Sequence, residues 1–464
     1  MEAMEQRCLL SAHGVAAAFF ETTSFDGSFT PTTASQVKLT DPSQVPVNGS
    51  FSVKWNGYIE PSHSHIYHFY AAANDGARLV LAGQTLIDHL SGPSDTLSAS
   101  VRLERGKRYA FSMEYISRGT DPVAKLDWRS GDDPIQVVPN SALFRGKSPG
   151  AHAYSHFAPG AEWDDSDGVP IQAHGGGMLY QDGVYYWYGE DKNTKTYVKN
   201  GITRVNVIGV SVYASTDLYN WTDEGLALTA TSKGDLSPAN VLERPKVLYN
   251  ASTGQYVMWM HVDNADYTKA SIGVAVSDSP IGPFAYQGSF QPLGMDGRDM
   301  TVFQDDDGTA YAIFATDQNQ KIRIAKMTPD YLGLTGESVQ PFSTPDQREA
   351  PQMFKDQGKY FLVTSGATWF DPNAAQYAVS DSPMGHYTIM GNPMTGPKAS
   401  TTDDSQGAFI FPIAGTDHFI FMADRWNQKH LGSSTYVWLP MQISGTKLSI
   451  SPLATWDLSA FNGA

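Results

Sequence analysis

From about residue 170 the chain repeats a pattern of dense apolar runs, each interrupted by a glycine turn. In REAPQMFKDQGKYFLVTSG, Met353 and Phe354 lead into Gln357-Gly358, and Tyr360, Phe361, Leu362 and Val363 follow. Apolar runs broken by such a turn predict a β-hairpin. Like phrases are QAHGGGMLYQDGVYYWYGE, ERPKVLYNASTGQYVMWMHV, RDMTVFQDDDGTAYAIFA and SQGAFIFPIAGTDHFIFMADRW. Each copy opens on a polar residue and is followed by a closing strand, as in GVSVYASTDLYNW and QYAVSDSPMGHY. Five copies of about 50 residues, each with four strands, predict a five-bladed β-propeller over residues 163–464. Upstream, FSVKWNGYIE alternates apolar and polar positions from Phe51 through Val53 and Trp55, the mark of a strand with one buried face. HIYHFYAAANDGARLVLAGQTLIDH adds two strands joined at Asn74-Asp75-Gly76, and RYAFSMEYISRG and AKLDWRS add more. Helical periodicity is absent, so residues 15–143 predict a β-sandwich or barrel. Gly146, Pro149, Pro159 and Gly160 mark 144–162 as a linker, which gives an all-β chain of two domains.

Composition narrows the partners. The chain of 464 residues carries 48 acids against 32 bases, a net charge of −16. That balance argues against nucleic acid or an anionic membrane surface and is compatible with a neutral substrate. The single cysteine, Cys8, excludes internal disulfides and cysteine-based metal sites. No run is apolar and long enough to span a membrane. The start, MEAMEQRCLLSAHG, has acids where a secretory signal carries bases. The expectation is a secreted protein whose signal peptide is absent from this chain, with a cytoplasmic one as the alternative. Three N-x-S/T sequons, at Asn48, Asn220 and Asn250, do not decide between them. DDSDG at Asp164–Gly168 lacks the closing glutamate of a calcium loop, and Asp305–Gly308 reads as a hairpin turn.

The chemistry lies on the period. Glu243, Asp299, Glu349 and Gln406 open successive copies at spacings of 56, 50 and 57 residues. One residue per copy at the same place brings three acids and an amide to one end of a central channel. Such convergence is costly unless it binds or reacts. The bland alternative is a set of strand-end charges paired with Arg244, Arg298 or Arg348, which directly neighbour three of the four. Converging carboxylates suit glycoside hydrolysis, in which one protonated acid serves the leaving oxygen and a base activates water on the opposite face. Tyr267, Trp369 and Trp426 are candidate stacking faces for a sugar, and Asn319 and Thr368 are further polar candidates.

Two resemblances sharpen this reading. W-x-G-Y-I-E, Y-x-F-x-A-A-x-D-G-A-R-L and G-x-x-L-I-D resemble the protective-antigen-type β-sandwich domain, which accompanies many glycosidases and often binds sugar. Asn74-Asp75 stands where its adhesin branch holds calcium with two aspartates. From about 165 to 445 the chain resembles glycoside hydrolase family 43, which implies inverting chemistry. REAP then places the general acid at Glu349, and RDMTVFQDDDG places at Asp299 the aspartate that tunes and orients it. Most of that family opens its first blade with an aspartate base, whereas here the position reads Gln172-Ala173-His174-Gly175-Gly176. AHGGG, WYGE, ERPKV, RDM and QGAF are similar to its exo-β-1,3-galactanase branch. That branch ascribes the base role to a glutamine acting as its imidic-acid tautomer, here Gln406, with His174 the rival. Glu190 and Glu243 would then bind substrate hydroxyls. The implied substrate is β-1,3-galactan, the backbone of arabinogalactan-type plant glycans. An α-L-arabinofuranosidase or β-xylosidase, or a non-catalytic sugar-binding protein, are the alternatives. No cofactor is expected. A structural calcium is left open, with no metal ligands assigned, because Gln406-Gly407 occupies the place where family members set a histidine near a channel ion.

Overall fold

A computed structural model describes residues 14–461 apart from 26–28, 48, 83, 92–93, 106–107, 120, 132, 145–153, 167–168, 200 and 343–346. Cys8, Asn48, Asp167, Gly168 and residues 145–153 of the expected linker thus lie outside the described residues. Contacts divide the chain into two compact units, 1–153 with 166–168, and 154–165 with 169–464. Among the described residues there is no α-helix, only short 3-10 turns between strands.

The first unit has two sheets. One is seven-stranded and contains Val15–Phe20, Phe51–Ile59 and Tyr109–Ser117, and the other is five-stranded and contains His65–Ala73 and Ala124–Ser130. Alternate side chains enter one core: Val53 and Trp55 from the first sheet meet Tyr67, Phe69, Leu126 and Trp128 from the second. That core is the physical content of the alternation read at Phe51, Val53 and Trp55. At the Asn74 turn, the amide donates to the Asp121 carbonyl at 2.6 Å and accepts from the Tyr115 hydroxyl at 2.6 Å and the Val123 N–H at 3.0 Å. Asp75 accepts the Arg118 N–H at 3.0 Å. Asn74 thus braces three segments through both ends of its amide.

The second unit consists of five antiparallel four-stranded sheets, each built from strands in sequence order, and one added two-stranded hairpin, Tyr197–Lys199 with Ile202–Arg204. The leading strands are His174–Gln181, Val241–Asn250, Met300–Gln304, Arg348–Asp356 and Gln406–Pro412. Each leading strand packs against the next, and the fifth packs against the first. Five hydrophobic cores lie between successive sheets, the last joining Phe411, Met422 and Trp438 to Trp187 and Tyr213. Successive side chains of a strand point to opposite faces. Met258 and Met260 therefore fill one core while Val257 and Trp259 fill the next. Both faces are buried, which is why YVMWMHV is apolar at nearly every position. The turn at Gln357-Gly358 has φ of 44° and 76°, the doubly left-handed geometry of a tight hairpin.

One boundary differs from the sequence expectation. Residues 154–162 are built into the second unit and are not a free linker. Phe157 is stacked on Trp456 with centroids 4.2 Å apart, and its N–H donates to the Trp456 carbonyl at 2.7 Å. Gly160 has φ +82°, and a Cβ there would stand 1.8 Å from Nη1 of Arg425. The glycine that suggested a linker is required by close packing. Phe157→Ala removes a ring from a filled core and is expected to cost the second unit about 3–5 kcal/mol in denaturant unfolding.

Candidate active site

Four of the five leading strands slip register just after their polar opening: between His174 and Gly177, Glu243 and Lys246, Glu349 and Gln352, and Gly407 and Phe409. These irregularities act as β-bulges, which re-aim a side chain at a sheet end. Three carry a left-handed residue: Gly175 at 57°, Arg244 at 53° and Ala350 at 49°. In the third sheet Asp299 lies just before the strand, and its carbonyl accepts the Ala315 N–H at 2.8 Å.

The openings converge on a pit of about 470 Å³. Glu190, Glu243, Asp299, Glu349 and Gln406 line it, as do Tyr267, Asn319, Trp369 and Trp426. His174 and Thr368 do not. His174 is fully buried, bonded through Nδ1 to Asp424 at 3.2 Å and stacked on Tyr436, so it lies in the packed wall. The Thr368 hydroxyl donates to the Asp371 carbonyl at 2.5 Å and accepts from the Asn373 amide at 2.7 Å, bracing the loop that presents Trp369. Trp369 is 61% exposed and meets Tyr267 edge-on at 5.8 Å. Trp426 is less free: its indole N–H donates to Gln406 Oε1 at 3.1 Å, and Phe370 packs on its ring.

Arg244, which sequence reasoning read only as a neighbouring counter-charge, is the hub. Its Nε pairs with Asp299 Oδ2 at 2.8 Å, Nη2 donates to Gln406 Oε1 at 2.9 Å, and Nη1 donates to the Gly407 carbonyl at 3.1 Å. Its backbone N–H donates to Glu190 Oε1 at 3.2 Å. Lys192, two residues past Glu190, pairs with that carboxylate and stands 5.5 Å from the centroid of Trp426. His261, opposite Glu243 in the strand register, was also missed. The available signal was local: ERPK, GEDK and the register partner of Glu243.

The environments drive the carboxyls apart. Burial and the Asp299 charge push Glu349 up to about 8, against the pull of Arg244 and Gln406. Gln406 Nε2 donates to its Oε1 at 2.9 Å and Asn319 Nδ2 to its Oε2 at 3.0 Å. Asp299 Oδ2 also accepts the Ala350 N–H at 3.1 Å, which couples it to the backbone beside Glu349. Burial alone would raise Glu243. The hydrogen bond and charge of His261, with Lys192 and the Tyr267 hydroxyl at 2.6 Å, outweigh it and hold Glu243 at about 2. Burial pushes Glu190 up to about 7 despite Lys192. A protonated carboxyl beside an ionised one is the division of labour that acid-base chemistry needs.

Glu243, His261 and Asp299 offer ligand atoms within 4.8 Å of one another, the one such trio among the described residues. The trio does not fit a metal. His261 bonds Glu243 through Nδ1 at 3.0 Å and Asp263 through Nε2 at 3.2 Å, which calls for a proton on each nitrogen. Asp299 is already held by Arg244.

Comparison with known proteins agrees with the geometry. The model of glycosyl hydrolases family 43 matches residues 176–433, and the PA14 domain model matches 11–142. The chain belongs to glycosyl hydrolase family 43. A similar solved structure is the exo-β-1,3-galactanase of Phanerochaete chrysosporium with β-1,3-galactotriose, at 36% identity and a TM-score of 0.61, covering 67% of this chain and 70% of that one. Another is the exo-β-1,3-galactanase of Clostridium thermocellum, at 36% identity and 0.58, covering 65% and 66%. A β-1,3-galactosidase solved with galactodeoxynojirimycin shares 35% identity at 0.61, covering 65% of this chain and all of that one. The arabinoxylan arabinofuranohydrolase of Bacillus subtilis is 28% identical over 297 residues, 55% of this chain and 53% of its own. An anti-sigma-I factor of Acetivibrio thermocellus is 38% identical over 101 residues, 22% of this chain. The chain spans 16% of that factor and about half of the arabinofuranohydrolase.

His261 gives a pH-dependent expectation. Burial alone would lower it, but Asp263 and Glu243 raise it from 6.5 to about 9. A cationic partner raised on folding stabilises fully below the unfolded value and less as pH climbs through the folded one. The melting temperature should therefore fall between pH 6.5 and 9.5, and fall less steeply in His261→Gln. Equal slopes in the two proteins would contradict this.

Proposed function

We propose that this chain is an inverting exo-β-1,3-galactanase, releasing galactose from the non-reducing end of β-1,3-galactan, on a five-bladed β-propeller with residues 15–143 as an accessory module. The closed succession of five sheets and cores supports the propeller. The observation that carries the activity is Glu349, raised by burial and Asp299 beside a pit ringed with carboxylates. The similarity to β-1,3-galactan-acting structures at 35–36% identity supports the linkage. Residue roles follow from the geometry and the family. Glu349 delivers the proton to the leaving oxygen. Asp299, held by Arg244 and tied to the Ala350 N–H, keeps Glu349 protonated through its charge and oriented through that N–H. Glu190 and Glu243 accept sugar hydroxyls, and Tyr267 and Trp369 flank the sugar.

The base role ascribed to Gln406 carries a condition. An inverting pair stands about 6.5–9.5 Å apart, so that water and the anomeric carbon fit between. Gln406 touches Glu349 at 2.9 Å, and both lone pairs of its oxygen are engaged. It serves as base only after release from these partners. The 28% identity to an arabinofuranohydrolase supports arabinofuranoside hydrolysis as a second reading.

Galactose release from β-1,3-galactotriose tests the proposal. Glu349→Gln should lose about 10²–10⁴-fold in rate, and the wild-type rate should fall as pH rises through about 8, where Glu349 ionises. The sugar first detected by NMR should be the α-anomer. Release of arabinose from an arabinofuranoside with none from the galactan would favour the second reading, and sugar binding with no release from either would make the protein non-catalytic.

A further inference from the structure

Two donors fix one of the two amides that flank Glu349, and their chemistry decides where its proton sits. Arg244 Nη2 and Trp426 Nε1 can only donate, and both point at one end of the Gln406 amide, at 2.9 and 3.1 Å. That end must be the oxygen, because a turned amide would set N–H against N–H. The nitrogen then faces Glu349 Oε1 at 2.9 Å and Ser365 Oγ at 3.3 Å, giving both its hydrogens away. We propose that Arg244 and Trp426 are positioning residues that lock the Gln406 amide in this one orientation and thereby place the transferable proton of Glu349 on Oε2. Oε1 accepts the Gln406 hydrogen and is the carbonyl oxygen of the acid. The proton is left to the oxygen beside Asn319.

Asn319 completes the arrangement. Its amide lies 3.0 Å from Oε2, yet its Oδ1 is buried without a hydrogen-bond partner. An orphaned buried acceptor next to an acid is resolved by a half-turn of the amide. Oδ1 then accepts the Oε2–H of the protonated acid, and Nδ2 donates once that proton has gone. One amide is held and the other is free to turn. In the transfer, the C1–O bond breaks with its electron pair on the leaving oxygen, and that oxygen takes the proton from Oε2. The water oxygen bonds to C1, and its proton passes to the base. The lock deals with the acid alone and describes the state before Gln406 is released.

The inference rests on Glu349 as acid, but its test does not need turnover. The carbonyl stretch of protonated Glu349 can be isolated by infrared difference spectroscopy at pH 5–6 as the band lost in Glu349→Gln. If Oε1 is the carbonyl oxygen and Gln406 donates to it, Gln406→Met should move the band to higher frequency, and Asn319→Leu should leave it in place. Arg244→Lys, which keeps charge but loses the fork, should broaden or split the band as the amide turns. Trp426→Phe, which keeps the ring, should broaden it less. A band unmoved in Gln406→Met overturns the proposal. So does a band as narrow as wild type in Arg244→Lys and Trp426→Phe, or in Trp426→Phe alone if Arg244→Lys does not fold. Absence of the wild-type band overturns it as well. Galactose release by the same wild-type preparation reports separately on the hydrolase reading, so either can fail without the other.

Discussion

The guanidinium of Arg244 is the constraint on which the pit depends. It is buried, and burying an unpaired charge costs several kcal/mol even after relaxation. Three contacts of the guanidinium offset that cost, reaching Asp299 just before the leading strand of the third sheet and Gln406 and Gly407 of the fifth, while the backbone N–H of the same residue reaches Glu190 of the first. The side chain, rooted in the second sheet, therefore ties that sheet to the third and the fifth. Its planar fork spreads N–H donors over three nitrogens toward separate acceptors, whereas a lysine gathers its donors on one. A neutral residue in its place would leave Asp299 uncompensated beside Glu349, two carboxyls then competing for one proton.

Around that hub, similar carboxyls acquire opposite states. Glu243 and Glu349 both open leading strands and are both sheltered. Glu243 accepts from an imidazolium and a phenol, and its charge is retained. Glu349 is flanked only by two neutral amides and faces the charge of Asp299, so its proton is retained. The difference lies in the second strand of each sheet: His261 stands opposite Glu243, and Ser365 stands opposite Glu349. A charged partner against a hydroxyl at the same register position divides their states, together with Lys192 and Tyr267 at Glu243 and the Asp299 charge at Glu349.

How much of this was legible follows from where each partner sits in the chain. Strand and turn signals are local, so the five hairpins and the tight turn at Gln357-Gly358 could be read directly. The four polar openings could be read because the repeat carries them. Arg244, Lys192 and His261 could not be ranked. An arginine beside a glutamate reads as its counter-ion, yet Arg244 turns to the next sheet and leaves Glu243 to His261. Trp426 read as a stacking face, while its N–H serves Gln406. His174 read as a rival base, while Asp424, some 250 residues later, holds it in the wall. Phe157 and Gly160 read as linker because the strands they pack on arrive some 280 residues later. Apart from Lys192, which pairs with Glu190 inside GEDK, each miss turns on a contact made outside the residue's own short stretch.

The pit also concentrates backbone strain. Arg244, Tyr267, Gln318, Asn319, Gln347 and Trp369 all line it, and all are non-glycine residues with φ between 44° and 62°. Each such residue costs on the order of 1 kcal/mol or more and persists only where its surroundings over-determine it. Regular strands would send alternate side chains into the two flanking cores and none into the pit. The bulges after Glu243 and Glu349 break the alternation and aim polar groups into it, and Asp299 reaches it from just before its strand. The repeat supplies the scaffold, and its departures from regularity supply the site. That is why the repeat of five sheets could be read from periodicity, whereas the reach of Arg244 across the pit follows from a left-handed residue at a bulge of its leading strand.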